Sequence, residues 1–379
     1  MPRTGQNIYK RKDGRWEGRY HKGRGSDGKI AYGSVYGRTC ADVKRKLSLR
    51  RADEPLPPPT ASAAGNNNTT FPDVARQWLS VISLKVKPST YAGYVKSLDL
   101  HILPQLGQRK MHHLTAADVS RFAKDKLESG RADGKGGLSV KTVRDMLSII
   151  KAIVDFACNE NILCSGFLIP YPMQRQRTMR VLSRQEQAAL EKVLQHTPDI
   201  HKLGILLCLY TGLRVGEVCA LRWQDISPDF TKLSVRQTLQ RIQNTSDDGS
   251  KTTIHIDTPK SRCSQRDIPI PRFLLPYLRR FAHSNHAFFL GTADAEFTEP
   301  RTMQNHFARC VKAAGIAAAN FHATRHTFAT RCIEAGVDAK SLSEMLGHAS
   351  VNITLNRYVH SSSEQKRLGM DKLEKYTGK

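Results

Sequence analysis

Hydrophobic and polar positions follow two different periods along this chain, and the change of period marks its parts. In "NIYKRKDGRWEGRYHKGRGSDGKIAYGSVYG" (7–37) aromatic or apolar residues alternate with basic ones. Asp13-Gly14 and Ser26-Asp27-Gly28 interrupt the alternation as turn signals, which predicts three short antiparallel strands. "TCADVKRKLSLRRAD" (39–53) then predicts a helix capped by Thr39. Trp16, Tyr20, Tyr32, Val35 and Tyr36 give this basic segment core-forming residues that a disordered tail lacks.

"PLPPPTASAAGNNNTT" (55–70) is Pro-rich, then small and polar, and is predicted to be a linker. From Phe71 to about Ile162 the period is helical. Thr115 with Asp118 resembles a capping box, and Val143, Leu147, Ile150 and Val154 form one apolar stripe. A second connector, "CSGFLIPYPMQRQRTMR", occupies 164–180. From Leu182 onward the pattern is mostly helical, but "KLSVRQTLQRI" and "KTTIHIDTPKSRCSQRDIPIP" alternate as strands do, with Lys260-Ser261 near a turn. The predicted architecture is multidomain and mainly α with small β elements. A three-stranded sheet plus helix fills 1–54 and a helical bundle fills 71–163. A mixed α/β domain with a C-terminal tail fills 181–379, and 55–70 and 164–180 are linkers. In the tail, Ser361–Ser363 reads as a hinge, and Leu368, Met370 and Leu373 line one side of a helix too short to stand alone.

Charge changes this picture. The 379 residues carry a formal net charge of +25 and a pI near 9.9. Such a surplus favours a polyanionic partner through counterion release, which makes nucleic acid the leading partner. Residues 1–51 alone hold fifteen Lys/Arg against four Asp/Glu, a surplus of +11. The polar faces of the helical segment carry Lys85, Lys87, Lys96, Lys124, Lys126, Lys141, Arg144 and Lys151, which suits a bundle pressed against phosphates. The eight cysteines, at 40, 158, 164, 208, 219, 263, 310 and 332, show no zinc-ligand spacing and read as buried reduced thiols. No signal peptide opens the chain, and no apolar run approaches the ~20 residues of a membrane span. A soluble, intracellular protein with no membrane partner is expected.

Four separated pieces of the last domain carry candidate chemistry. In "TGLRVGEVCALRW", Thr211-Gly212 breaks a helix, Arg214 starts the next, and Glu217 lies on the same face to orient the guanidinium. Taken alone that pair is more often a surface ion pair. In "TPKSRCSQRDIPI", Lys260 sits at a strand end, also a common place for a solvated lysine. In "HATRHTFATRC", His322 and Arg325 are three apart and share a face, with Phe328 and Cys332 toward the core. In "LGHASVNITLNRYVH", His348 follows a Leu-Gly stop and Tyr358 comes ten residues later.

The ordered set Arg…Lys…His-x-x-Arg…His…Tyr resembles the tyrosine recombinase (phage integrase) family over roughly residues 72–379. The segment "IYKRKDGRWEGRY" resembles the arm-binding domain of integrases from conjugative transposons and some phages. The resemblance implies a site-specific recombinase that cleaves and rejoins DNA through a 3′-phosphotyrosine, integrating and excising a mobile element. It implies Tyr358 as nucleophile, Arg214 and Arg325 as forks on the non-bridging oxygens, and His322 and His348 as hydrogen-bond donors or proton carriers. Lys260 would stand beside the leaving 5′-oxygen. Attack on a phosphodiester adds charge to the equatorial oxygens, and with no carboxylate cluster to hold magnesium, cationic side chains must stabilise it. No metal or nucleotide cofactor is expected. The resemblance further implies a homotetramer on double-stranded DNA with core and arm sites, an excisionase, a DNA-bending protein, and work in the bacterial cytoplasm at the nucleoid. It also implies a tail that docks on a neighbouring subunit. A type IB topoisomerase shares this catalytic set but would act as a monomer on one site. The two-part DNA-binding front end and the tail after Tyr358 argue against it. A non-enzymatic DNA-binding regulator, with Tyr358 and His348 as packing residues, conflicts with competent side chains at all six positions.

Overall fold

The computed structural model describes residues 8–11, 13–24, 30–52, 68–163, 165–174, 179–244, 250–258, 264–282 and 286–358, with 367, 370–371, 373–374 and 376–378 of the tail. Two units result, Met1–Asn67 and Asn68–Lys379.

In the first unit, β1 (Ile8–Lys10), β2 (Trp16–Arg24) and β3 (Ile30–Gly37) form one antiparallel sheet in sequence order. The expected turn at Asp13-Gly14 joins β1 to β2, closed by Arg11 N–H to the Arg15 carbonyl at 2.8 Å. The second expected turn, at 26–28, lies outside the described residues. Helix α1 (Cys40–Ala52) begins where Thr39 Oγ1 accepts the Asp42 N–H at 3.1 Å, the cap the sequence predicts. It lies so close to the sheet that a Cβ at Gly18 would sit 2.6 Å from a Val43 methyl. A glycine is needed there for the helix to bury Val43. Glu17 is also buried, but it accepts from Arg11, Arg19 and Ser34.

The second unit begins with a helical bundle. Thr70 and Asp73 form a capping box at the start of α2 (Phe71–Ser83), so Thr70 is already part of the bundle. Next come α3 (Pro88–Ser97), a π-helical turn Leu98–Ile102 and the short α4 (Leu103–Leu106). α5 (Ala116–Ser129) carries the expected Thr115–Asp118 box, and α6 (Val140–Asn159) closes the bundle. The predicted stripe Val143, Leu147, Ile150 and Val154 is fully buried with Phe71, Phe122 and Met111. Ile169 of the following connector packs on the same core.

A separate core begins at Leu182. Its helices are α7 (Arg184–Gln195), α8 (Ile200–Thr211) and α9 (Val215–Ala220). After the strands come α10 (Leu275–Phe281), α11 (Pro300–Ala313), α12 (His322–Glu334), α13 (Ala339–Leu346) and α14 (Val351–Tyr358). The alternating stretches are strands, as expected: β4 (Lys232–Val235), β5 (Thr238–Gln243), β6 (Thr252–Asp257) and β7 (Arg266–Pro269). β5 and β6 form one antiparallel pair, and β4 pairs with β7 in a second. Lys87, which precedes α3, ties bundle to strands by donating to Asp257 Oδ2 at 2.8 Å and the Thr258 carbonyl at 2.6 Å.

The cysteine expectation needs correcting. Cys208, Cys219 and Cys310 are buried free thiols, but Cys40, Cys158 and Cys332 are only half-buried, Cys332 at the margin of a buried cluster. Cys164 and Cys263 lie outside the described residues. Among the described residues no helix is long and apolar enough to cross a membrane. Of the tail, Met370, Leu373 and Tyr376 are exposed, while 361–363 and Leu368 lie outside the described residues.

Candidate active site

Two helix ends and one buried arginine organise the site. α8 stops at Gly212, whose backbone is left-handed at φ 66°. A Cβ there would lie 2.5 Å from the Phe328 ring, so glycine is required twice over. The stop leaves the Gly212 carbonyl free of helical bonds, and Arg325 Nη1 donates to it at 2.8 Å. α13 stops at Leu346, before Gly347, and the Leu346 carbonyl accepts from Arg325 Nη2 at 2.6 Å. Both acceptors lie at helix C-termini, where the macrodipole is negative, which suits a guanidinium. Arg325 is only 2% exposed. Burial, then the charge of Arg214, lowers its pKa to about 9, so it stays charged at neutral pH.

Phe328 lies in a buried cluster on which Cys332 packs, as expected, and the charge of Arg325 acts on His322. Every residue from Ala323 to Ala329 is buried, because α12 is packed on almost all sides. His322 is the residue that opens to solvent, Arg325 is inside, and Cys332 is only half-buried.

Arg214 is the N-cap of α9, and its Nη1 meets Glu217 Oε1 at 2.7 Å, as the spacing predicts. The pair is no surface bridge. Glu217 is 4% exposed and also accepts from the Arg214 backbone N–H at 2.9 Å and from Arg266 at 2.9 and 3.1 Å. Burial alone would raise its pKa, but Arg266, then Arg214, hold it at about 2. Arg214 and Arg266 thus share one carboxylate, while Arg325 is held by two carbonyls, and the site is left with a surplus of positive charge. The Arg214 side chain, 38% exposed, keeps donors open to solvent.

Three imidazoles stand against this charge. His348 Nδ1 hydrogen-bonds Thr354 Oγ1 at 2.8 Å, and its ring is parallel to that of Tyr358 with centroids 6.4 Å apart. The His322 ring meets that of His326 edge-on at 4.5 Å. His326 Nδ1 lies 2.8 Å from the Tyr358 hydroxyl. Desolvation, then nearby cationic or histidine neighbours, lowers the pKa of all three to about 4, so they are neutral near pH 7. Tyr358, the last residue of α14, is 6% exposed, and burial raises its pKa against the opposing pull of Arg325 and Arg357.

The fold therefore brings together Arg214, Glu217, His322, Arg325, His348 and Tyr358. Lys260 lies outside the described residues. Thr258 and Ser264, on either side of 259–263, line a cavity of about 320 Å³ together with Arg214 and Glu217. Arg266, His326 and Thr354 were not singled out from the sequence. His326 carries a usable signal, four residues after His322 on one helix. Arg266 and Thr354 carry none, since their partners are distant in sequence or lie at an ordinary helical position.

Residues 180–365 match the phage integrase family, and residues 70–127 match the phage integrase N-terminal SAM-like domain. A tyrosine recombinase XerC-like protein of Caldanaerobacter subterraneus is 26% identical, over 93% of both chains. The ICEBs1 integrase of Bacillus subtilis is 24% identical, over 81% of this chain and 83% of its own. Among solved structures, the Tn1549 transposon integrase in complex with a circular intermediate DNA superposes with a TM-score of 0.64. It shares 23% identity and covers 79% of this chain and 99% of its own.

Proposed function

The chain belongs to the phage integrase family, and from that premise we propose how its residues divide the work of a tyrosine recombinase. Tyr358 attacks the scissile phosphate, forms a 3′-phosphotyrosine and frees the 5′-oxygen. Arg214 and Arg325 bind the non-bridging oxygens, and His322 and His348 donate further hydrogen bonds. Glu217 positions Arg214. Lys260 protonates the leaving oxygen. The observation that carries this reading is the surplus of positive charge around the Tyr358 hydroxyl, where Arg325, Arg357 and Arg214 all act on the phenol and Glu217 pairs only with Arg214 among them. A phosphodiester supplies the missing anion, and the neutral imidazoles can donate to it without adding charge.

DNA is the partner, consistent with the net charge of +25. Residues 1–54 form an arm-binding domain, 71–163 a core-binding bundle and 181–379 the catalytic domain, with 55–70 and 164–180 as linkers. The enzyme works as a homotetramer on paired core and arm sites in the cytoplasm, and an excisionase and a DNA-bending protein set its direction. The exposed Met370, Leu373 and Tyr376 support a tail that is covered by a neighbouring subunit. A nicked suicide duplex carrying the junction of the integrated element tests the chemistry. The wild-type chain should accumulate a covalent adduct and Tyr358→Phe should not. An adduct with Tyr358→Phe would sink the assignment. Cleavage without strand exchange between two duplexes would indicate a topoisomerase.

A further inference from the structure

The nucleophile assignment leaves one proton unplaced. Tyr358 is buried and stays a phenol at neutral pH, so bond formation to phosphorus must be accompanied by loss of its proton. Arginine cannot accept it. His348 commits Nδ1 to Thr354. Among the described residues, His326 is the imidazole whose ring nitrogen reaches the phenol oxygen, at 2.8 Å. Its ring is nine-tenths buried on α12, one residue after the anchored Arg325 and edge-on to His322, so it is held in place before DNA arrives.

We propose that His326 is the general base for Tyr358, resting on the reading that Tyr358 is the nucleophile. With its own proton on Nε2, His326 accepts the phenol hydrogen bond at Nδ1. As Tyr358 Oη bonds to phosphorus, the phenol proton passes to Nδ1, the bond from phosphorus to the 5′-oxygen breaks, and that oxygen takes a proton from Lys260. In rejoining, the 5′-hydroxyl attacks and gives its proton back to the neutral Lys260 amine, the bond from phosphorus to Oη breaks, and protonated His326 returns a proton to Oη. Burial and the flanking cations keep the imidazole neutral near pH 7, as a proton acceptor must be. Those same cations disfavour the imidazolium, which is therefore stabilised mainly by the extra charge on the phosphoryl oxygens in the transition state, and His326 exchanges its proton with solvent between cleavage and rejoining.

The test is single-turnover adduct formation by the full chain on the nicked duplex. His326→Asn keeps a hydrogen-bonding group at the Nδ1 position but no basic nitrogen. It should bind the duplex normally and form adduct roughly 10²–10⁴-fold more slowly. Replacing Tyr358 with a trifluorotyrosine, whose phenol ionises near neutral pH, should shrink that deficit to a few-fold, because no base is then required. A deficit of equal size with both nucleophiles, or no deficit with tyrosine, overturns the proposal. If His326→Asn no longer binds the duplex, triazolylalanine at position 326 preserves the ring shape with a weaker base. An unchanged rate with that isostere also overturns it. Adduct formation by Tyr358→Phe would instead refute the nucleophile assignment, so the two failures are distinguishable.

Discussion

Glu217→Gln removes the carboxylate that Arg214 and Arg266 share. The substitution keeps the size of the side chain, but its amide can accept at only one end and points N–H donors at a guanidinium from the other. Glu217 accepts four hydrogen bonds, two of them from Arg266, whose side chain is 5% exposed. Removing the anionic partner of a buried ion pair costs about 3–5 kcal/mol. The depressed pKa gives an independent figure. A fall from 4.5 to about 2 amounts to about 3 kcal/mol of native-state stabilisation. The two agree. The sign follows from the direction: a depressed carboxyl stabilises the fold fully above its unfolded value of 4.5 and loses that contribution as pH falls toward about 2. Urea unfolding followed by circular dichroism should therefore place the variant about 3 kcal/mol below wild type at pH 7, with the gap narrowing below pH 4.5. Adduct formation should fall as well, because Arg214 loses its orienting partner. A gap that stays constant from pH 7 to about pH 3, or a variant as stable as wild type, would refute the argument.

Other outcomes follow from the same geometry. Gly212→Ala combines a strained left-handed backbone with a Cβ 2.5 Å from Phe328, and it moves the carbonyl that holds Arg325. It should lower stability by more than about 1 kcal/mol and depress cleavage, and an active variant with an unchanged melt would contradict this. Lys260→Ala should slow cleavage roughly 10²–10⁴-fold, and a substrate with sulfur at the 5′-bridging position should restore the rate because a thiolate leaves unprotonated. Arg214→Ala should gain no such rescue; equal rescue of both would place the acid elsewhere. A chain lacking residues 1–60 should still cleave a core site but integrate poorly, and the isolated segment should bind DNA with steep salt dependence. Salt-insensitive binding would remove the arm-binding assignment.

What the sequence determined by itself is the local structure and the chemical inventory. Thr39 and Thr115 cap helices through residues three positions away, and the α6 stripe repeats at the helical period. Such rules act over one or two turns, so the order of residues contains them. The family's ordered arginines, histidines and tyrosine were legible for the same reason, since their identities and local wording need no fold. Tertiary structure decided which of these groups meet. β4 pairs with β7 across an intervening hairpin, which puts Arg266 against Glu217, 49 residues away. Arg325 is buried because two helix ends, one of them 113 residues distant in sequence, both aim a carbonyl at it. His326 meets Tyr358 across 32 residues, a contact that its place one turn after His322 does not reveal. These contacts depend on chain closure and close packing, which no local pattern records.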